Sequence, residues 1–138
     1  MNYKFNYNGK EFILDEENLL DVINDEENSL KGLEIEDIIN LLNESPDVDF
    51  DKAYYSTPCE ECNSNFKDSK KESEYLEYYF YVYSKDSNYV ISTISKEYEN
   101  KTYNRMEIMG EVDNSYIVTI IVCANCSKYL VQIEQLEV

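Results

Sequence analysis

Apolar and polar residues alternate at the start of the chain, and this pattern predicts a β-hairpin over residues 2–14. In residues 3–7, two tyrosines and a phenylalanine are each separated by one polar residue, as expected for a strand with one buried face. Asn8-Gly9 follows, and this residue pair is typical of two-residue hairpin turns. Residues 10–14 end in an apolar run and supply the second strand.

The next two segments space their apolar residues as helices do. Residues 15–18 are Asp-Glu-Glu-Asn, and negative charge favours a helix start because the exposed N–H groups there attract it. The leucines and isoleucine of residues 19–23 extend this into a predicted short acidic helix. Isoleucines and leucines at helical spacing predict a second helix over residues 34–43, which Ser45-Pro46 ends.

Polar residues dominate two predicted loops, residues 47–58 and 63–73. The first begins with aspartate at every second position, which resembles the start of a calcium-binding loop. An EF-hand loop would also need glycine at its sixth position and glutamate at its twelfth, where the chain has Lys52 and Pro58. We therefore interpret these aspartates as a solvated acidic turn.

β-branched and aromatic residues dominate the second half of the chain and predict five strands with short polar connections. A tight turn at residues 113–115 would pair the third strand with the fourth, and the series favours an antiparallel meander. The predicted strands are residues 76–84, 89–95, 103–112, 116–123 and 128–138. At 138 residues, the chain fits a single α+β domain: hairpin and acidic helices in residues 1–45, sheet in residues 46–138.

Tyrosine is unusually frequent, with 14 in the chain and no tryptophan. In the first predicted strand of the sheet, Tyr79, Tyr81 and Tyr83 would share one face, while the alternate residues share the other. Because tyrosine suits strands and one face must be core, the ordinary structural interpretation is favoured. The alternative is an aromatic face that meets a partner protein, since tyrosine is enriched at interfaces.

The chain is strongly acidic, with 29 Asp and Glu against 12 Lys and Arg and a net charge of −17. This argues against nucleic-acid binding, which uses cationic side chains, and against binding to anionic membranes. A basic protein surface is the expected kind of partner, although the simplest role of the charge is solubility. The sequence has no histidine, the usual general base near neutral pH, and we predict that the protein is not an enzyme.

The chain shows no apolar run long enough to span a membrane, and its first residues lack the layout of a secretion signal. We therefore expect a cytoplasmic protein. In that compartment thiols stay reduced, so clustered cysteines are more often metal ligands or redox groups than structural cross-links.

All four cysteines belong to two Cys-x-x-Cys pairs, Cys59–Cys62 and Cys123–Cys126. Each pair can present two thiolates to one tetrahedral metal ion, and two pairs complete a shell with no open position. Zinc is the expected ion, and iron is possible, because soft thiolates in this geometry accept both. The first pair encloses Glu60-Glu61, and a bound divalent cation would offset their charge.

The second pair lies between an apolar strand ending at Cys123 and a strand beginning at Lys128, so it occupies the tip of a hairpin. This strand–knuckle–strand arrangement resembles the zinc-ribbon and rubredoxin-type knuckle, and the resemblance implies a structural metal site. Such knuckles usually have a left-handed glycine after the second cysteine, where this chain has Asn63 and Ser127. The 60 residues between the pairs must fold so that the first pair returns beside the last hairpin.

In composition, length and its paired Pro-Cys-x-x-Cys and Cys-Ala-x-Cys motifs, the chain resembles the small acidic uncharacterised proteins of clostridia-type bacteria. This resemblance implies no known activity.

The sequence therefore predicts a non-catalytic cytoplasmic zinc-binding module with a role in protein–protein interaction or regulation. Two alternatives stay open. A thiol–disulfide redox protein would use one of the pairs, although such motifs usually begin at a helix N-terminus and neither pair precedes a predicted helix. An acidic mimic of nucleic acid would need carboxylates arrayed on one face at phosphate-like spacing.

Overall fold

A computed structural model of the protein describes residues 1–62, 66–67 and 72–136 and shows a mixed α+β fold. Among these residues, no helix combines the length and the apolar character that crossing a bilayer requires. In chain order, the elements of the described residues are β1 (Tyr3–Tyr7), β2 (Lys10–Leu14), β3 (Leu19–Ile23), α1 (Ile35–Glu44), β4 (Asp51–Tyr55), β5 (Phe66–Lys67), β6 (Glu72–Lys85), β7 (Asn88–Ser92), a 3₁₀ helix (Lys96–Tyr98), α2 (Tyr103–Ile108), β8 (Asn114–Cys123) and β9 (Tyr129–Gln135).

The predicted N-terminal hairpin is confirmed, because β1 and β2 pair antiparallel. Its turn residues Asn8 and Gly9 have φ angles of 51° and 78°, the left-handed conformation that a two-residue hairpin turn requires. Phe5 stacks on Phe12 of the same hairpin and on Phe50 beyond α1, with ring centroids 5.1 Å and 4.2 Å apart. These stacked rings attach the hairpin to the rest of the core.

The other strands form one mixed sheet in the order β3-β9-β8-β6-β4, with β5 and β7 also paired to β6. β6 and β8 pair antiparallel over ten residue pairs, from Tyr75 opposite Cys123 to Ser84 opposite Asn114. β8 pairs antiparallel with β9, and β9 pairs parallel with β3 at the sheet edge. The long β6–β8 ladder therefore forms the centre of the sheet.

One face of this sheet carries the main hydrophobic core, and we call it the core face. α1 packs there through Ile38 and Leu42, and the hairpin adds Phe12 and Leu14. Helix, hairpin and sheet thus bury apolar surface that each alone would expose. The strand residues of the core face are Leu76, Phe80, Val82, Tyr116, Val118, Ile120, Val122, Tyr129, Val131 and Ile133.

The opposite side of the sheet, which we call the open face, carries the alternate residues of the same strands. At one end of it, Tyr83 joins Ile91, Met106 and Val112 in a second, smaller core cluster. By strand register, the open face consists of Tyr75, Glu77, Tyr79 and Tyr81 from β6, Ile117, Thr119 and Ile121 from β8, and Leu130, Gln132 and Glu134 from β9.

The prediction of a helix over residues 15–23 is wrong, because residues 19–23 form β3. The acidic tetrad before it forms a turn, in which Asp15 Oδ1 accepts a hydrogen bond from the Asn18 backbone N–H at 2.9 Å. Such local side-chain bonds compete with helical hydrogen bonds. The Asn18 carbonyl then accepts a bond from the Tyr129 N–H at 2.9 Å, next to the parallel pairing with β9.

The prediction of a strand over residues 103–112 is also wrong. Residues 103–108 form α2, whose N-cap Thr102 accepts a hydrogen bond from the Arg105 backbone N–H at 3.3 Å. Met106 and Val112 are buried in the second cluster. The apolar residues that resemble a strand pattern are therefore buried by a short helix and the segment after it. β8 consequently pairs with β6, and the predicted simple meander does not form.

Both predicted loops contain strands. Within residues 47–58, β4 pairs antiparallel with the start of β6, from Asp51 opposite Glu77 to Tyr55 opposite Ser73. Within residues 63–73, two residues form β5 and β6 begins at Glu72. The remaining positions of that second loop, 63–65 and 68–71, lie outside the described residues.

Leu42→Ala is expected to lower the free energy of unfolding by about 2–5 kcal/mol, because Leu42 is fully buried and its truncation leaves a cavity. Leu41→Ala is the matched control, since Leu41 lies on the same helix and is only half-buried. Leu41→Ala should lower the free energy of unfolding by less than about half as much as Leu42→Ala. Urea titration of both variants measures this difference, and equal losses would contradict the packing described for α1.

Candidate metal centre

The four cysteines lie at one end of the sheet, in two different connections. Cys59 and Cys62 follow β4, whereas Cys123 ends β8 and Cys126 lies in the turn that leads to β9. β6 brings them together, because its first residues pair with the end of β4 on one side and with the end of β8 on the other. Two segments far apart in sequence therefore meet at the same sheet end.

The sulfur atoms of the four cysteines all lie within 4.8 Å of one another. Cys59 Sγ is 3.6 Å from Cys126 Sγ, and Cys62 Sγ is 3.7 Å from Cys123 Sγ. Four Zn–S bonds of about 2.3 Å at tetrahedral angles would place sulfurs roughly 3.8 Å apart. A disulfide bond would instead bring two sulfurs to about 2.05 Å. The four cysteines could therefore hold one metal ion, as the paired motifs predict.

The backbone of the second pair has the conformation expected of a metal-binding knuckle. Ser127, directly after Cys126, has a φ angle of 70°. This is the left-handed conformation at which zinc-ribbon knuckles usually have glycine. The Ser127 N–H donates to the Cys123 carbonyl at 3.2 Å, and the Cys123 N–H donates to the Lys128 carbonyl at 2.8 Å. These bonds close the turn and hold both thiols on its inner side. The corresponding Asn63 of the first pair lies outside the described residues.

Two polar side chains contact the knuckles and were not predicted from the sequence. The Lys10 ammonium donates to the Ala124 carbonyl at 3.3 Å and also to the Asn125 carbonyl. It lies 5.1 Å from the ring centroid of Phe12, a cation–π contact that orients it. Asn125 Nδ2 donates to Cys62 Sγ at 3.5 Å, across the two pairs. No sequence signal connects Lys10 with the knuckle, since the hairpin turn lies more than a hundred residues earlier.

Burial divides the four thiols into an inner and an outer pair. Cys59 and Cys123 are 3% and 1% exposed, whereas Cys62 and Cys126 are half-buried. Burial raises the pKa of the Cys123 thiol and, with the neighbouring Cys59, that of the Cys126 thiol. A metal ion would have to displace these protons, so its binding releases protons and is pH-dependent.

The donor set fits a structural metal ion. Four sulfur donors without any oxygen donor are typical of zinc and iron, and four protein ligands complete a tetrahedral shell. Glu60 and Glu61, between the first two cysteines, are exposed to solvent. The arrangement can hold an ion firmly between two chain segments, and it leaves no coordination position for a further molecule.

A groove of about 470 Å³ opens beside the cysteine cluster, on the open face of the sheet. Leu20 and Ile23 of β3 line it together with Pro58 and Cys59 of the first knuckle and Ile121 of β8. The groove is therefore partly apolar, and one of its walls belongs to the segment that a metal ion would fix.

Comparison with known proteins identifies a family without an assigned activity. A family model described as "Protein of unknown function (DUF3785)" matches residues 3–138, which include both cysteine pairs. No curated protein and no solved structure matches the chain.

Purified protein is expected to contain one zinc ion per chain, and Cys126→Ser is expected to weaken zinc binding by at least about a hundredfold, because it removes one of four ligands. Cys126 is half-buried, so the serine can be accommodated without a packing defect. Ser56→Ala, at an exposed position near the first pair, is the control and should keep its zinc. Elemental analysis and chelator competition measure both. A wild-type protein without stoichiometric zinc or iron, with four titratable thiols, would contradict the assignment.

Lys10→Ala is expected to weaken zinc binding about tenfold, because the ammonium bonds two knuckle carbonyls and adds positive charge beside four thiolates. Lys4→Ala removes the same charge from an exposed position in β1 of the same hairpin and should change the affinity less than about twofold. Competition with a chromophoric chelator measures both constants. Equal effects would mean that only net charge matters and that the bonds to Ala124 and Asn125 do not.

Proposed function

The chain belongs to the family of proteins of unknown function described as DUF3785, and we propose that it is a non-catalytic cytoplasmic module, stabilised by zinc, that binds another protein. The observation that carries this proposal is the convergence of all four cysteine sulfurs within 4.8 Å at one end of the sheet. A site made only of protein thiolates supports a structural metal ion, and a structural ion in turn supports a role for the surface that it holds in shape.

Zinc is the proposed ion, and iron is the alternative that metal analysis would reveal. The ion would join the segment after β4 to the turn between β8 and β9, which lie on opposite sides of β6. In the described part of the chain, the ladders hold the strands on either side of each knuckle, and no ladder pairs one knuckle with the other. An ion that binds the folded protein and not the unfolded chain adds its binding free energy to the stability of the fold.

A structural role is favoured over a catalytic one by the ligand set. Catalytic zinc sites keep one position for water or substrate, whereas four cysteine ligands fill the shell. The sequence has no histidine to act as a general base, and the carboxylates next to the site, Glu60 and Glu61, are exposed to solvent. These features support a protein that binds without transforming its partner.

The redox alternative has less support from the position of the cysteines. Thiol–disulfide motifs gain reactivity when the first cysteine lies at a helix N-terminus. Among the described elements, the first pair lies between β4 and β5 and the second between β8 and β9, so neither pair leads directly into a helix. The sulfur contacts at 3.6 Å and 3.7 Å also join one pair to the other, which a shared ion explains directly.

The nucleic-acid-mimic alternative has less support from the distribution of charge. A mimic needs its carboxylates on one face, whereas exposed acids occur on α1 as Glu36, on the open face as Glu134, and on the 3₁₀ helix as Glu97. A net charge of −17 spread in this way fits solubility and attraction to basic protein surfaces better than imitation of a phosphate strand.

Capture from native lysate tests the proposed function. Zinc-loaded wild-type protein is expected to retain a defined partner that mass spectrometry identifies, and Cys126→Ser is expected to lose it, because the knuckles would no longer be held together. Asn40→Ala, at an exposed position of α1 on the core-face side, serves as the matched bait and should retain the same partner. If wild-type and Cys126→Ser baits retain the same broad set of basic proteins, the binding is adsorption by charge and the proposal fails. If the wild-type thiols instead cycle reversibly through a disulfide, the redox function takes its place.

A further inference from the structure

We propose that the open face of the sheet is a docking surface for an extended segment of a partner protein that is rich in arginine or lysine. This inference rests on the proposed protein-binding function and specifies the surface and the chemistry of the partner. Three features of the open face carry it: exposed tyrosines, carboxylates near them, and the partly apolar groove beside the cysteine cluster.

Tyr79 and Tyr81 lie uncovered in the middle of the open face. Tyr79 is 51% exposed and Tyr81 is 36% exposed, although both belong to the central strand of the sheet. Their ring centroids are 6.0 Å apart in an edge-on arrangement, so the two rings form one aromatic patch. The adjoining Tyr83 is buried in the second cluster, which shows that a tyrosine at this strand's end can be covered by the chain itself. The ring faces of the other two stay available to bind a cation.

Two carboxylates of the open face lie near this aromatic patch, one along the same strand and one across the sheet. Glu77 is one open-face position from Tyr79 along β6 and stands opposite Asp51 of the edge strand β4. Glu134 stands opposite Ile117, which is itself opposite Tyr81. Rings flanked by carboxylates attract a guanidinium or ammonium group in two ways, through the π-face and through charge.

The groove adds an apolar anchor site at the knuckle end of the same face. Ile121 and Leu130 lie in adjacent strands of the open face and line the groove with Leu20 and Ile23 of the edge strand β3. Leu20 and Ile23 are 36% and 44% exposed, which leaves apolar surface that an anchor residue of the partner would bury. Cys59 and Cys123 also line the groove, so an ion held by the cysteines would fix its shape.

Charge identifies the occupant among the candidates for this face. A second copy of the chain would bring another net charge of −17 against the carboxylates of the first, and the like charges would repel. Nucleic acid would be repelled for the same reason. A basic extended segment is attracted, and alternation of its side chains suits a strand that lays cations on the tyrosines and an apolar residue in the groove.

Titration of the zinc-loaded, isotope-labelled protein with a synthetic peptide tests the proposal by NMR. The peptide has about eight residues, which span roughly 25 Å when extended; one face carries arginines and, at the groove end, a leucine, and the alternate positions are threonine. Chemical-shift changes are expected on the open face and along the groove. Tyr79→Ser combined with Tyr81→Ser is expected to weaken binding about tenfold. A peptide with glutamine in place of arginine is expected not to bind.

Matched charge variants separate docking from general attraction. Glu77→Gln with Glu134→Gln removes two charges from the open face, and Glu36→Gln with Glu44→Gln removes two from α1 on the core-face side. The α1 pair should leave the helix stable, since it removes one acid from the first turn and one from the last. The open-face pair of substitutions is expected to weaken peptide binding at least about fivefold, and the α1 pair less than about twofold, because charges at the surface act over short distances.

Each contrary outcome overturns the inference. Equal weakening by the two charge pairs means attraction by net charge alone, and shift changes spread over the whole surface mean the same. Sedimentation that shows a dimer of the protein alone, lost in the Tyr79 and Tyr81 double variant, would assign the face to a second copy. A lysate partner that binds with unchanged affinity to the double variant would leave the proposed function standing and refute this surface. By contrast, peptide binding confined to the open face, with no partner retained from lysate, would support this surface and refute the proposed function.

Discussion

The antiparallel pairing of β6 with β8 is the constraint on which the rest of the structure depends. It sets Tyr75 opposite Cys123, so the end of β8 lies beside the start of β6, where β4 also pairs. Together with the β4–β6 pairing, this register brings the four cysteine sulfurs within 4.8 Å of one another. A shift of β8 by one residue would turn Cys123 to the core face. The same register separates the covered face of the sheet from the uncovered one.

Features whose geometry depends on adjacent residues could be predicted from the sequence. The Asn8-Gly9 turn, the helix over residues 34–43 and the two knuckles were each predictable because their geometry is set by a few adjacent residues. That the two knuckles must lie close together was predictable, because one tetrahedral ion needs all four cysteines. The strand order was not predictable: β6 lies between β4 and β8, which a simple meander would not give.

Other elements depended on distant partners and could not be read from local patterns. Residues 19–23 have apolar residues that fit either a helix or an edge strand, and the decision comes from β9, more than a hundred residues later. Residues 103–108 carry a strand-like composition, yet Thr102 caps a helix and Met106 is buried in a separate cluster. The contact of Lys10 with the second knuckle likewise exists only after the hairpin has packed. The periodicity of apolar residues indicates which residues are buried, whereas tertiary contacts decide whether those residues lie in a helix or a strand.

The parallel pairing of β3 with β9 has a consequence for how the protein is made. β9 lies between β3 and β8 in the sheet and is the last strand along the described chain. A ribosome releases β3 more than a hundred residues before β9, so Leu20, Val22 and Ile23 lack their sheet partner until β9 has also been synthesised. Pairings across such long sequence separations form slowly, because the chain loses entropy before contacts reward it. The β3–β9 edge of this sheet therefore forms only after β9 has been made, and a net charge of −17 favours dispersal of the unpaired chain until then.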